Sequence, residues 1–131
     1  MLNDAQRFGR DSEAAAARFL RDAGYRIVAR NYRRSFGEID LIAYDGATLA
    51  FIEVKARRSD RFGAPHAAIT RRKRDQLTKV ALAYLAGMRP GRDEPPCRFD
   101  LVVVQPAPGR SSPRVELIKD MFTPVWGTAS A

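Results

Sequence analysis

Three ionisable side chains stand inside otherwise apolar segments of this chain. Asp40 lies in Gly37-Glu38-Ile39-Asp40-Leu41-Ile42, and Glu53 and Lys55 lie in Phe51-Ile52-Glu53-Val54-Lys55. A charge placed in a half-buried strand is costly unless it is paired, and two acids on neighbouring strands suit a hard divalent cation. Mg²⁺ takes one or two carboxylates and keeps water and substrate phosphate for its other positions; Mn²⁺ is an acceptable substitute. The backbone carbonyl of Val54 is a further oxygen, and Glu13, carried by an upstream helix, can complete the set directly or through water. Lys55 projects to the same side as Glu53, where its ammonium can position or help deprotonate an attacking water, or stabilise charge on a phosphate. The competing reading is a solvated sheet face with a cross-strand ion pair worth about 0–1 kcal/mol. Leu49 and Phe51 share that face and argue against free solvation.

The elements that must position these residues follow from patterning. Asp4 to Ala23 reads as an Ala-rich helix ended by Gly24, with Phe8, Ser12, Ala15, Ala16, Phe19 and Leu20 on one stripe and Glu13 at its edge. Tyr25 to Asn31 reads as a strand and Tyr32 to Phe36 as a basic turn. Gly37 to Tyr44 and Thr48 to Ala56 read as strands joined at Asp45-Gly46, a two-residue hairpin signal. That turn predicts Tyr44 opposite Ala47, hence Asp40 opposite Phe51 and Glu38 opposite Glu53. Alternation then puts Glu38, Asp40, Glu53 and Lys55 on one face, and Ile39, Leu41, Ile52 and Val54 on the other.

A second helix is expected from Pro65 to Leu85, with Ile69, Leu77, Val80 and Tyr84 as its buried stripe. Lys73 falls inside that stripe and Gln76 at its edge, so both can line the site. Arg71, Arg72, Arg74 and Lys79 point elsewhere. Arg98 to Gln105 reads as a buried strand and Arg114 to Ile118 as a last one. Residues 1–122 are expected to form a single domain, and 123–131, which include Trp126, a loose tail.

Of the 131 residues, 45% are hydrophobic, enough for one globular core. No apolar run approaches the roughly 20 residues of a membrane span, and the polar N-terminus has no signal-peptide pattern, so a cytoplasmic protein is expected. Cys97 and His66 are the only residues of their types, which disfavours disulfides, Cys-rich zinc sites and a Ser-His-Asp triad. The formal net charge of +8, carried mostly by arginine, suits a polyanion such as nucleic acid. Arg33, Arg34, Arg57, Arg58 and Arg61 flank the open end of the hairpin and can hold a phosphate backbone without reading sequence.

Asp40 followed by Glu53-Val54-Lys55 resembles the metal-binding motif of the PD-(D/E)xK nuclease superfamily. Ile39 stands where that motif carries Pro, a position that holds no metal. Gly9 through Glu13, Gly24-Tyr25, Arg30-Asn31, Gly37 through Ile42, Phe51 through Lys55 with Arg57, Phe62-Gly63, Lys73 and Arg98-Phe99-Asp100 resemble, in order, the YraN-like family of bacterial proteins, related to Holliday-junction resolvases. The resemblance implies an α/β, restriction-endonuclease-like three-layer α/β/α fold with a central mixed sheet and a helix-first αβββαβ core, with Glu13 as the extra acid. It also implies a Mg²⁺-dependent endonuclease acting on DNA, with branched recombination or repair intermediates as the substrate class. A homodimer would suit symmetric cutting of a junction. The alternative is a nucleic-acid-binding module that retains the fold without catalysis.

Overall fold

The computed structural model describes residues 2–57, 69–88, 94–107 and 109–124. Helix α1 spans Asp4–Asp22. It is started by a capping box: Asn3 Oδ1 accepts from the Gln6 N–H at 2.8 Å, and Gln6 Oε1 accepts from the Asn3 N–H at 3.0 Å. Its inner face is small, with Ser12, Ala16, Ala17 and Leu20 buried, which lets the helix lie close to a sheet. Strands β1 (Arg26–Arg34), β2 (Gly37–Asp45) and β3 (Thr48–Ala56) follow, then α2 (Arg71–Ala86), β4 (Cys97–Gln105) and β5 (Arg114–Ile118).

The five strands form one mixed sheet in chain order. Only β3 and β4 pair in parallel, as the crossover through α2 requires. Two apolar layers sit on the sheet. Leu41, Ala43, Ala50, Ile52, Val102 and Val104 pack with Ala16, Ala17 and Leu20 of α1. Ile42, Leu49, Phe51, Phe99, Leu101 and Val103 pack with Leu77, Val80, Ala81 and Leu85 of α2. The two helices therefore cover opposite faces. Neither described helix is long and apolar enough to cross a membrane.

Several sequence expectations need correction. β1 continues to Arg34, so Tyr32, Arg33 and Arg34 are strand residues and the turn is Ser35-Phe36. Tyr32 is held in the sheet by packing: its ring meets the Tyr84 ring edge-on at 5.1 Å. α2 begins at Arg71, after Thr70, whose hydroxyl caps it by accepting from the Lys73 N–H at 3.1 Å. Ile69 therefore precedes the helix, and the expected start at Pro65 lies outside the described residues, as do Arg58, Arg61 and Trp126.

The hairpin register also differs. Asp45 pairs with Thr48 and Tyr44 with Leu49. The loop residues are Gly46, at φ +62°, and Ala47. Asp45 stays in the strand because its carboxylate is tied to Arg98 at 2.8 Å and to Lys119 at 3.2 Å. The partner shift is two residues, so side-chain parity between the strands is preserved. Phe51 pairs with Ile42 and Ile52 with Leu41, the last pair of the ladder; one further step sets Asp40 across from Glu53, not from Phe51.

The expected clean alternation along β2 fails at Asp40. Ile39 and Ile42 both pack in the layer beneath α2, while Leu41 packs beneath α1. In a regular strand Ile39 and Leu41 would share a face. The neighbouring strand breaks at the matching place: Ala29 and Tyr32 both pack on the α2 side, and Asn31 between them has φ +50°. Asn tolerates that left-handed conformation better than most residues. With Arg30 opposite Leu41 and Tyr32 opposite Ile39, Asn31 falls opposite Asp40. A paired irregularity thus stands where the Asp40 side chain leaves the sheet.

Asp100, set beside Ile52 in the β3–β4 register, has no solvent exposure. Its carboxylate accepts from Arg98 Nε at 2.8 Å, from a terminal Arg98 nitrogen at 2.9 Å, from the Tyr25 hydroxyl at 3.1 Å and from the Asp120 N–H at 2.9 Å. This ties β4, the segment after β5 and the start of β1 together. Among the described residues no buried side-chain polar atom is left without a partner.

Candidate active site

Past the last pairs of the β2–β3 ladder, the N–H of Val54 has no backbone partner on β2. Asp40 Oδ2 accepts it at 2.8 Å. That bond aims the Asp40 carboxylate across the gap between the strands. The N–H and C=O of one strand residue point to the same edge, so the Val54 carbonyl also faces this gap.

Glu53 is 9% exposed and carried on the α2 side of β3. Its Oε2 meets Lys73 Nζ at 3.0 Å, so the lysine in the stripe of α2 reaches the acids. Lys55 is half-buried and forms no ion pair with a described residue. Its place two residues beyond Glu53, on the same face, leaves the ammonium available at the mouth of the site.

Asp40 carries the clearest electrostatic signature. Its pKa is pushed up to about 8, first by burial and then by the hydrogen bond and charge of Glu53; the Val54 N–H opposes this, and Glu13 adds to it. A hydrogen bond between two carboxyl groups needs a proton on one of them. The pair therefore shares a proton, which burial and the neighbouring Glu53 charge hold well above the ordinary carboxylate range.

Glu13 approaches from α1. Its pKa is raised by burial and by Glu38, while the Asn31 side chain, which hydrogen-bonds it, and then Arg33 and Arg30 lower it. Asn31 thus links the backbone irregularity beside Asp40 to the acid of α1. No role was assigned to it from sequence, although an Asn inside a strand pattern is a signal of left-handed backbone. Glu38 lies with Glu13 and forms an exposed ion pair with Arg33 at 3.0 Å, which corrects its expected place beside Asp40 and Glu53.

Two of the expected acids, Asp40 and Glu53, are thus in direct contact, and Glu13 is near enough to influence Asp40. No group of three or more metal-ligating side chains is assembled among the described residues. The donor set fits Mg²⁺, which uses few carboxylates and keeps water and phosphate, and does not form an all-protein cage. Of the expected phosphate-binding residues, Arg33 and Arg34 are exposed at the end of β1, Arg34 lying over the Tyr32 ring at 5.3 Å. Arg57 follows β3 and its N–H is held by the Val104 carbonyl at 2.9 Å. Gln76 Nε2 donates to the Phe36 carbonyl at 2.9 Å, so Gln76 fastens the β1–β2 turn to α2. A cavity of about 670 Å³ between α1 and the β4–β5 connection contains none of Asp40, Glu53 or Lys55.

Gly37 explains the fit of that turn. It has φ +154°, and a Cβ there would lie 2.6 Å from Gln76 Cγ. Gly37→Ala is expected to displace Gln76, break its bond to Phe36 and cost about 1–2 kcal/mol. Urea denaturation measures the loss; unchanged stability would show that the turn does not depend on this close approach.

Residues 12–104 match the family described as "Uncharacterised protein family UPF0102". A UPF0102 protein of Desulfosudis oleivorans is 50% identical over 122 residues, covering 93% of this chain and 94% of that protein. One from Symbiobacterium thermophilum is 51% identical over 119 residues, covering 90% and 98% respectively. One from Nocardia farcinica is 46% identical, covering 92% and 93%.

Proposed function

We propose, from the premise that this chain belongs to the uncharacterised protein family UPF0102, that it is a Mg²⁺-dependent endonuclease acting on DNA, with branched recombination or repair intermediates as its substrates. The observation that carries this reading is the contact of Asp40 with Glu53, held by the Val54 N–H, with the Asp40 pKa raised to about 8. Two carboxylates arranged so that they do not both ionise freely are a poor structural device and a good cation site. When bound, Mg²⁺ supplies Lewis acidity to a phosphoryl oxygen and lowers the pKa of water.

The residues of the chain supply the rest. Asp40 and Glu53 would hold the cation, with the Val54 carbonyl on the same edge and Glu13 assisting. Lys73 neutralises Glu53 at 3.0 Å and would face the substrate phosphate beside it. Lys55 orients the attacking water or stabilises charge on the scissile phosphate. Arg33, Arg34 and Arg57 hold the backbone of the strand. The helix-first order and helices on opposite sheet faces support the reading of a PD-(D/E)xK, restriction-endonuclease-like fold, and the resemblance of the sequence motifs to a family related to Holliday-junction resolvases supports a branched DNA substrate and a two-fold homodimer.

A divalent-metal-dependent cleavage screen over duplex, single-stranded, flap and four-way-junction DNA tests the reading. Asp40→Ala and Lys55→Ala should each lower cleavage by about a hundredfold or more while DNA binding survives. Cleavage undiminished in Glu53→Ala would assign the activity to a contaminant and end the proposal. One observation favours the alternative of a non-catalytic nucleic-acid-binding module: Lys73 pairs with Glu53 at 3.0 Å, so that acid has a charge partner within the chain. That alternative expects salt-sensitive binding and no cleavage with Mg²⁺ or Mn²⁺.

A further inference from the structure

Phe36 is the most exposed large hydrophobic side chain among the described residues, at 45%. It sits at the tip of the β1–β2 turn, where an exposed aromatic ring gains nothing for the core. Yet the turn is held firmly: Gln76 binds the Phe36 carbonyl at 2.9 Å, and Gly37 permits the close approach. An apolar ring fixed in water by its own backbone is arranged to meet something outside the chain.

The surroundings say what. Phe36 stands between two concavities. One, of about 440 Å³, is lined also by Arg33, Arg34, Glu38 and Lys73. The other, of about 490 Å³, is lined also by Arg71, Arg72, Asp75, Gln76 and Lys79. Both volumes lie in the range of small-ligand sites. Cations outnumber acids on each side, and Lys73 joins the first concavity to Glu53 of the candidate active site. An aromatic platform between basic grooves is the arrangement that binds single-stranded nucleic acid: the ring takes the face of a base and the cations take the flanking phosphates. A duplex offers phosphates but keeps its base faces stacked. A protein partner would need to be strongly acidic to tolerate Arg33, Arg34, Arg71, Arg72 and Lys79 around a single ring.

We infer that Phe36 is a stacking residue that receives an unpaired base, with Arg71, Arg72 and Lys79 holding the phosphates on one side of it and Arg33 and Arg34 leading the strand toward Asp40 and Glu53. This rests on the nuclease reading only for the direction of the strand. It sharpens the substrate class from DNA in general to DNA with an unpaired nucleotide beside the cleavage point. Such a nucleotide is already unstacked, so the cost of opening a duplex does not arise.

The test uses the full chain in EDTA, so that the readout is binding and not cleavage. Fluorescence anisotropy compares a short blunt duplex with the same duplex carrying a single-stranded extension. The wild-type chain should prefer the extended form. Phe36→Ala should lower affinity for the extended form about tenfold and leave the blunt duplex unchanged, while Phe36→Tyr keeps the preference. Replacing Arg71 and Lys79 together with Ala should weaken both forms and reduce the salt dependence. A 2-aminopurine in the extension should be quenched by the wild-type chain and not by Phe36→Ala.

Equal loss on both forms, or no loss in Phe36→Ala, overturns the inference. Absence of binding together with self-association that Phe36→Ala abolishes overturns it in favour of a protein interface. The two proposals can fail separately: Phe36-dependent binding without metal-dependent cleavage leaves the stacking role and removes the nuclease, and cleavage with Phe36-independent binding does the reverse.

Discussion

Asp40→Asn is expected to make the metal-free protein more stable at pH 8 and to abolish its response to Mg²⁺. In the folded chain Asp40 titrates near 8, against an ordinary value of 3.8. Between those values the folded state binds more protons at this site than the unfolded state. Its contribution to stability is therefore full below about pH 4, falls as pH rises and is exhausted above about pH 8. The full shift would convert at about 1.4 kcal/mol per pH unit. Because Glu53 shares the proton, a net effect on the order of 2 kcal/mol is the better expectation.

Asparagine reproduces the protonated acid. Its Oδ1 accepts the Val54 N–H and its Nδ2 donates to Glu53, with no proton to lose. Urea denaturation between pH 4 and 9 should show declining stability in the wild-type chain and a flatter profile in the variant, with the variant ahead at the alkaline end. Mg²⁺ should raise the wild-type melting temperature, because a ligand that binds only the folded state stabilises it, and should release protons near pH 7. Neither response should remain in Asp40→Asn. A variant less stable than wild type at pH 8 would mean that the two carboxyl groups are not in conflict.

Asp100→Ala is expected to cost about 3–5 kcal/mol, a large part of the about 5–15 kcal/mol typical of a domain. The cost arises from what the substitution leaves behind. Arg98, whose side chain is only 19% exposed, would lose its two-pronged partner, and the Tyr25 hydroxyl and Asp120 N–H would each lose an acceptor. The Asp45 contact at 2.8 Å would remain to Arg98 but lies nearer solvent and cannot replace a buried bidentate pair. Asp45→Ala should therefore cost much less. Equilibrium urea denaturation of both variants makes the comparison. Equal, small losses would show that the cluster is a screened surface network, in spite of the complete burial of Asp100.

Much of the fold was legible. Asp4 to Ala23 and Arg114 to Ile118 could be read because apolar periodicity and terminators agree there. Asp45-Gly46 marked the hairpin, but the loop fell one residue later because Asp45 is held in its strand by Arg98 and Lys119, partners more than 50 residues away in sequence. The error left the site intact, since a two-residue shift keeps faces. The extent of β1 was missed because Tyr32-Arg33-Arg34 reads as a basic loop, whereas Tyr32 is fixed by the distant Tyr84.

By itself the sequence determined which residue types were available: two acids and a lysine in adjacent strands, a lysine in the stripe of α2, an acid at the edge of α1, and a surplus of arginine. Short-range rules decide these matters, because strand parity and helix period act within one element. Only the tertiary structure decided that Asp40 faces Glu53 and not Phe51, that Asn31 and Asp40 break the sheet together, that Glu38 belongs with Glu13 and Arg33, and that Phe36 is fixed in the open by Gln76. Each depends on contacts between segments far apart in the chain, and the free energy of such contacts is a property of the packed fold, absent from any local window of residues.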